Sequence, residues 1–202
     1  GFPYPYVLAA STANDGSEAV SLPNVTTAKA RVKVEAVGNV YFDISDVDFP
    51  IQAVFGSNAL QSQPNGNQSG KAEAFRFTAP ASGTLSQLSI YLTANSHSTG
   101  AVLGLYASNA ANNQPSTLLA SGAIASPTNG AWNIAPLSKA VTLDAGKSYW
   151  IAILSPEGNG AIEFLDECCG SSKGVSPSET SRSVHLATLP ATWQTGTVFR
   201  ND

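Results

Sequence analysis

The chain has 202 residues, of which 43% are apolar and only 12% are charged, against roughly 25% charged residues in an average soluble domain. This apolar fraction can bury a core, so the sequence excludes an intrinsically disordered chain. The net charge is 10 − 14 = −4, and no basic run occurs, which argues against nucleic acid as a partner. No apolar run approaches the ~20 residues of a membrane-spanning helix.

The first part of the chain carries few strand signals. Residues 30–36 alternate strictly between apolar and charged side chains, which is typical of a half-buried antiparallel strand. The pair Gly38-Asn39 predicts a tight hairpin turn into a second strand over 40–44. This region therefore reads as a small piece of antiparallel β structure.

Strand signals recur at regular intervals after a polar stretch over 57–70, which itself predicts a loop. Residues 149–154 are continuously apolar, as expected for a strand in the middle of a sheet. Gly, Pro and Asn clusters separate the runs, and no window carries a helical stripe. Short strands between such turns predict an antiparallel β-sandwich or jelly roll. The runs whose side chains share a face are Phe75/Phe77, Leu88/Ile90/Leu92 and Leu103/Leu105.

The fold class is thus predicted to be all-β, with a domain boundary near residue 52. Residues 53–202 form the sandwich or jelly roll, and residues 1–52 form a short β segment in front of it. An Ig-like sandwich needs about seven strands and ~100 residues, so the segment supplies only half of one. A half-length domain should leave unpaired backbone and exposed apolar side chains, which invite strand addition from a neighbour.

Residues 14–51 resemble the back half of the Ig-like domain that follows the catalytic domain in secreted bacterial zinc metalloproteases. The resemblance rests on residues 14–17, 22–24, 30–34, 38–39 and 42–45. It implies that the segment belongs to the C-terminal accessory region of a secreted bacterial protein. The His-Glu-x-x-His helix of those proteases is absent from the chain, so no protease activity follows.

Residues 70–200 resemble a β-sandwich module appended to secreted bacterial enzymes and surface proteins. The matching stretches are 72–75, 82–85, 104–106, 130–133, 149–154 and 189–193. Such modules are accessory and often bind carbohydrate, so the resemblance implies an extracellular or cell-surface location and a non-catalytic role. The start at Gly1, without Met or a basic n-region, fits a mature chain cut from a larger precursor or a trimmed fragment.

The only two cysteines, Cys168 and Cys169, are adjacent and depart from the pattern of the module. Neighbouring Cα atoms lie about 3.80 Å apart, below the ~4.4 Å at which the usual disulfide range begins. Three interpretations stay open: a strained vicinal disulfide in an oxidising compartment, two free thiols, or bridges to another chain. His97 and His185 show no metal-ligand spacing to the pair.

Nucleophilic catalysis needs a nucleophile, a base and an orienting group. His97 lies in a polar loop and His185 in a predicted strand, and both are interpreted as solvated or hydrogen-bonded surface histidines. No Gly-x-Ser-x-Gly elbow occurs. We expect no catalysis from this chain, even if it is a fragment of a larger secreted hydrolase. A hydrolase with an unrecognised site that uses His185 is the third-ranked hypothesis.

Aromatic and acidic side chains are the candidate ligand contacts. Trp193 stands in a loop or strand end, where it either contacts ligand or closes the sandwich, and Trp132 opens a strand as either core or rim. Asp166 and Glu167 form the best acidic pair, although adjacent residues on an extended chain point apart. Trp150 lies inside an apolar run and is predicted to be core.

Three aspartates offer a possible cation site. Asp43, Asp46 and Asp48 recur with Ser45 between them, a spacing that could present several oxygens to a structural Ca²⁺. The loop lacks the Gly and the terminal Glu of an EF-hand, which excludes that motif. Plain turn and edge acids are the alternative interpretation.

The N-terminal arm is apolar and aromatic, with Phe2, Tyr4 and Tyr6 alternating with prolines. It either docks on its own domain or is offered to another molecule. The main functional hypothesis is a secreted, non-catalytic module that binds a polysaccharide or cell-surface glycan. The alternative is a self-assembling structural protein, in a filament or surface layer, whose partner is a copy of itself and whose subunits are completed by strand addition.

Overall fold

The computed structural model describes residues 3–23, 25, 27–51, 54–56, 59–166 and 177–199. Within these ranges every helix or strand is a β-strand, and the strands pair antiparallel. The predicted all-β class is confirmed, whereas the finer jelly-roll assignment stays a prediction. No helix in the described part of the chain is long and apolar enough to cross a membrane.

The chain divides into two compact units, Gly1–Asn58 and Ala59–Asp202, which we call unit 1 and unit 2. Unit 1 contains two separate two-stranded ribbons. In one ribbon, β1 (Thr27–Ala30) pairs with β4 (Phe49–Ile51), and in the other, β2 (Lys33–Glu35) pairs with β3 (Phe42–Ile44).

The predicted hairpin is present between β2 and β3. The amide of Ala36 donates to the carbonyl of Tyr41 at 2.9 Å, and Gly38 has a φ of 72°, a conformation that favours glycine. The single strand predicted over 30–36 is wrong in detail. The chain changes partner there, because Ala30 pairs with Phe49 whereas Lys33 pairs with Ile44.

Unit 1 lacks a buried core in the part that the structure describes. None of its described residues is buried. Apolar side chains on the β2–β3 ribbon are open to solvent, including Val34 at 64% and Phe42 at 62% exposure. Other large apolar side chains in unit 1 are exposed as well: Tyr6, Val7, Leu22, Val37, Val40, Tyr41 and Val47. A two-stranded ribbon is marginally stable at best by itself.

The described residues of unit 2 form ten strands. They are β5 (Gln63–Asn67), β6 (Ala72–Thr78), β7 (Gly83–Leu92), β8 (Ala101–Ser108), β9 (Pro115–Ile124), β10 (Ala131–Leu143), β11 (Ser148–Leu154), β12 (Ile162–Asp166), β13 (Ser178–Ser181) and β14 (Thr195–Phe199). A four-stranded sheet has the order β10-β7-β12-β5, and a six-stranded sheet has the order β14-β13-β6-β11-β8-β9. The apolar run predicted to be central, β11, lies inside the six-stranded sheet.

Both sheets contribute side chains to one hydrophobic core. Leu88, Ile90 and Leu92 of β7 are all buried, so the predicted shared face is confirmed. They belong to the same cluster as Leu103 and Ile153 of the six-stranded sheet. The sheets therefore pack against each other through the alternate residues of their strands.

A second core cluster lies on the other face of the six-stranded sheet. It contains Trp150, predicted to be core, together with Tyr106, Leu189 and Trp193. Gly104 makes room for the covering segment, since an added Cβ would lie 2.4 Å from Cδ1 of Leu189. The six-stranded sheet is thus buried on both faces near its centre.

The loop predicted over 57–70 is wrong in part, because β5 lies within it as an edge strand. It pairs only with β12. Asn65 donates to Asp166 at 3.3 Å and Asn67 donates to Glu73 at 2.9 Å, so the polar side chains are satisfied where they turn inward. An edge position also tolerates Pro64, which lacks a backbone donor.

Candidate functional site

Trp132 stands on the outer face of the four-stranded sheet. Its neighbours on β10, Asn133 and Ala135, are buried toward the core, whereas Trp132 is 41% exposed. Its strand partner is Tyr91, and the two rings meet edge to face, with centroids 5.8 Å apart and planes at 77°. The Tyr91 hydroxyl donates to the carbonyl of Gly130 at 2.8 Å. The rings therefore form a fixed corner and not a flat platform.

The strand register extends this corner across the sheet. Phe164 of β12 pairs with Leu92 of β7, so the next residue, Leu165, lies beside Tyr91 on the outer face. Leu165 in turn pairs with Pro64 of β5. We call Trp132, Tyr91, Leu165 and Pro64 the outer row. It takes one residue from each of the four strands.

The outer row carries no charge at neutral pH. The nearest acid on the same face by register is Glu163, and its Oε1 accepts a hydrogen bond from the Thr93 hydroxyl at 2.5 Å. Ser89 and Gln87 continue the exposed face of β7 beyond Tyr91, and Ile134 continues that of β10 at 53% exposure. The face thus combines an uncharged apolar strip with hydrogen-bonding groups beside it, the Glu163 carboxyl among them.

Trp193 does not lie on this face. It is only 5% exposed and packs edge to face on Tyr106, with ring centroids 5.3 Å apart. Its backbone amide donates to the carbonyl of Ser116 at 2.8 Å. Its indole Nε1 has no hydrogen-bond partner among the described residues. The structure therefore places Trp193 in the second core cluster, where it closes the fold.

Asp166 belongs to a polar cluster between the two sheets. It faces inward and accepts from Asn65. Glu73, only 5% exposed, lies in the same region and accepts from Asn67 and Ser178 at 2.9 Å each. Burial raises the pKa of the Glu73 carboxyl, and the charge of Asp166 raises it further. Asp166 is thus separate from the outer row, and Glu167 lies outside the described residues.

Two of the three aspartates proposed for calcium have other partners. Oδ1 of Asp48 accepts from Nε of Arg31 at 2.6 Å, and Asp43 accepts from the amide of Ile44. Among the described residues no group of three His, Cys, Asp or Glu side chains is arranged to hold a metal ion, and the calcium site at Asp43, Asp46 and Asp48 stays a prediction. Cys168 and Cys169 lie outside the described part of the chain.

Both histidine side chains are exposed. Nδ1 of His185 lies 2.7 Å from Oε1 of Glu157, with both side chains well exposed. The strand predicted around His185 is wrong, because the backbone there leaves β13 and crosses the end of β6 instead, where the amide of Leu186 donates to Gly70. His97 is exposed in its loop, as predicted. Among the described residues, no hydrogen bond joins a histidine side chain to a hydroxyl group.

The N-terminal arm approaches its own unit. Nζ of Lys33 lies 6.0 Å from the ring centroid of Tyr4 and 5.2 Å from that of Phe42. Tyr6 is exposed, and Phe2 lies outside the described residues. The arm therefore contacts the β2–β3 ribbon through Tyr4.

Sequence reasoning named Trp132 but missed the other three members of the outer row. The alternation of β7 could have placed Tyr91 opposite the buried leucines. Leu165 and Pro64 join the row only through strand pairing, which no local signal reveals. A search of protein families, curated proteins and solved structures finds no match for the chain, so the two sequence resemblances stay predictions.

Proposed function

We propose that unit 2 is a non-catalytic, extracellular β-sandwich module that binds an uncharged polysaccharide or cell-surface glycan at the outer row. The observation that carries the proposal is the exposed Trp132 ring held against Tyr91 on a sheet face. Aromatic rings pack against the apolar faces of pyranose sugars, and a contiguous exposed apolar strip is typical of a ligand-binding surface.

The rigidity of the corner supports this proposal. Tyr91 is fixed at its hydroxyl by Gly130 and at its ring by Trp132. A contact surface that is ordered before binding loses little conformational entropy when the ligand arrives. Both residues also lie on long strands that are backed by the core, which holds a site more firmly than a loop does.

The charge of the face indicates which glycans fit. The outer row is uncharged, and the chain as a whole has a net charge of −4, so an acidic polysaccharide gains nothing here and is repelled at longer range. Ser89 and Gln87 are exposed beside the row and can exchange hydrogen bonds with sugar hydroxyls. Such a mixture of an apolar strip with a few polar groups is typical of ligand sites.

Affinity electrophoresis in gels that contain soluble polysaccharides tests the proposal. The wild-type chain should be retarded by at least one neutral polymer, such as hydroxyethylcellulose, galactomannan or laminarin, and not by alginate. Trp132→Ala should weaken that retardation by about tenfold or more, the usual effect of losing a central aromatic contact. Phe199→Ala is the matched control, since Phe199 is an exposed aromatic on the other sheet. The proposal would be contradicted if no gel retarded the wild-type chain, or if Trp132→Ala were retarded as strongly as the wild type.

A second function is favoured by a different observation, the absence of buried residues in the described part of unit 1. We propose that unit 1 is completed by a copy of the same chain, which makes the protein a self-assembling extracellular element. In the described part of unit 1 each ribbon has two strands, and the edges of such ribbons accept strands from other chains. The exposed Val34 and Phe42 would then become buried in the assembly.

Sedimentation velocity over a wide concentration range tests the assembly. The wild-type chain should associate as its concentration rises, and Phe42→Asp should shift the chain to monomer because a charge would have to be buried. Val184→Asp, which alters an exposed apolar residue of unit 2, should associate as the wild type does. A wild-type chain that stays monomeric throughout would rule out this second function.

A further inference from the structure

We infer that the ligand of the outer row is a single, uncharged β-1,4-linked pyranose chain that runs across the strands and covers at least three sugars. This inference rests on the proposed function and specifies its ligand. Its basis is the register, because Trp132 pairs with Tyr91, Leu165 lies beside Tyr91, and Leu165 pairs with Pro64. The apolar strip therefore runs perpendicular to the strands.

The length of the row sets the length of the ligand. Four neighbouring strands are separated by three spacings of ~4.8 Å, which gives about 14 Å from Trp132 to Pro64. One β-1,4-linked pyranose advances a chain by roughly one strand spacing. The corner of Trp132 and Tyr91 thus holds one sugar, and Leu165 and Pro64 offer apolar contacts to those that follow.

The chemistry of the row matches this linkage. Equatorial β-1,4 bonds give an extended ribbon whose sugar faces are apolar and whose hydroxyls point sideways, whereas α-1,4 bonds make a chain coil away from a straight strip. The outer row is uncharged, and so are the backbones of glucans, mannans and xylans. Ser89 and Gln87 are exposed on the same face of β7 as Tyr91, where the hydroxyls of such a ribbon would project.

The twist of the sheet excludes a flat ligand. Adjacent strands are rotated by about 20–25°, so the surface along the row turns by roughly 60–75° between β10 and β5. A single chain in solution can follow this turn by rotating about its glycosidic bonds. A crystalline polysaccharide face cannot, and it would touch only one or two members of the row.

Isothermal titration of the full chain with oligosaccharides tests the inference. The probes are β-1,4-linked gluco-, manno- and xylo-oligosaccharides of two, three and four sugars. In at least one series we expect affinity to rise about tenfold or more between two and four sugars, as new apolar contacts form. Leu165→Ala and Pro64→Ser should weaken binding of the tetrasaccharide and leave the disaccharide unchanged. Pro64 is exposed, so Pro64→Ser gives a result even if Leu165→Ala unfolds.

The possible failures are distinct. If a neutral polysaccharide binds and needs Trp132, but affinity does not depend on length or on Leu165 and Pro64, the transverse chain is wrong and the proposed function stands. If no polysaccharide retards the chain, both are wrong. Binding to microcrystalline cellulose as tight as binding to the soluble tetrasaccharide would overturn the argument from sheet twist.

Discussion

Trp193 is the residue on which closure of the second core cluster depends. Its side chain is only 5% exposed and packs on Tyr106. Trp193→Ala should lower the free energy of unfolding of unit 2 by about 3–5 kcal/mol, the usual cost of removing a buried tryptophan. Trp193→Phe should cost less, because the indole nitrogen has no partner among the described residues and no hydrogen bond is lost.

Urea denaturation followed by far-UV circular dichroism measures these changes. Trp132→Ala is the matched control, and because Trp132 is partly exposed, its effect on stability should be well below that of Trp193→Ala. Trp193→Ala should thus affect mainly stability, and Trp132→Ala should affect mainly binding. Equal midpoints for Trp193→Ala and wild type would show that the side chain is not part of the core.

Glu73 should make the stability of unit 2 depend on pH. Burial raises the pKa of its carboxyl above the ordinary 4.5 in the folded state, so the folded protein holds this proton more tightly than the unfolded chain does. The stability that Glu73 contributes is therefore fully present below about pH 4.5 and is lost as the pH rises through the raised pKa.

Glu73→Gln should remove this part of the pH dependence, since an amide can keep the contacts with Asn67 and Ser178 without ionising. Thermal unfolding between about pH 4 and pH 8 measures the slope for wild type and variant. If the unfolding temperature of Glu73→Gln depended on pH as that of the wild type does, the assigned role of Glu73 would be contradicted.

At the scale of elements, the close approach of β9 and β10 limits which residues fit between the two sheets. A Cβ added to Gly122 on β9 would lie 2.2 Å from the carbonyl oxygen of Pro136 on β10, so backbone would have to move. Gly122→Ala should therefore destabilise unit 2 by about 1–3 kcal/mol, as overpacking does. Gly104→Ala meets the flexible end of Leu189 instead and should cost less.

Chemical denaturation of the two glycine variants measures this difference. Both replacements add one methyl group within a β-strand, so strand propensity changes equally and only the neighbours differ. A Gly122→Ala chain as stable as wild type would mean that β9 and β10 do not approach so closely.

At the scale of the whole molecule, the two units should differ in their ability to fold alone. A fragment Ala59–Asp202 should unfold cooperatively, with the midpoint of the same transition in the full chain, because the core clusters lie entirely within unit 2. A fragment Gly1–Asn58 should show no cooperative transition as a dilute monomer, because a unit so small, with none of its described residues buried, is not stable.

Differential scanning calorimetry of the fragments and of the full chain checks this prediction. A cooperative transition of dilute, monomeric Gly1–Asn58 would contradict it, and it would also remove the motive for completion by a second copy. If both proposals hold, assembly would array many outer rows on one particle, and binding to a polymer would gain avidity without any new contact.

The sequence by itself determined the all-β class, the turns and most of the strands, because alternation and turn residues are local properties of the chain. It also identified Trp150 as core and Trp132 as a candidate contact. Only the tertiary structure decided that the polar Gln63–Asn67 stretch is a strand, since its inward amides are satisfied by Asp166 and Glu73 from distant parts of the chain. Likewise, the outer row and the burial of Trp193 depend on which strands and segments become neighbours, and that pairing is a long-range property that no short window of sequence contains.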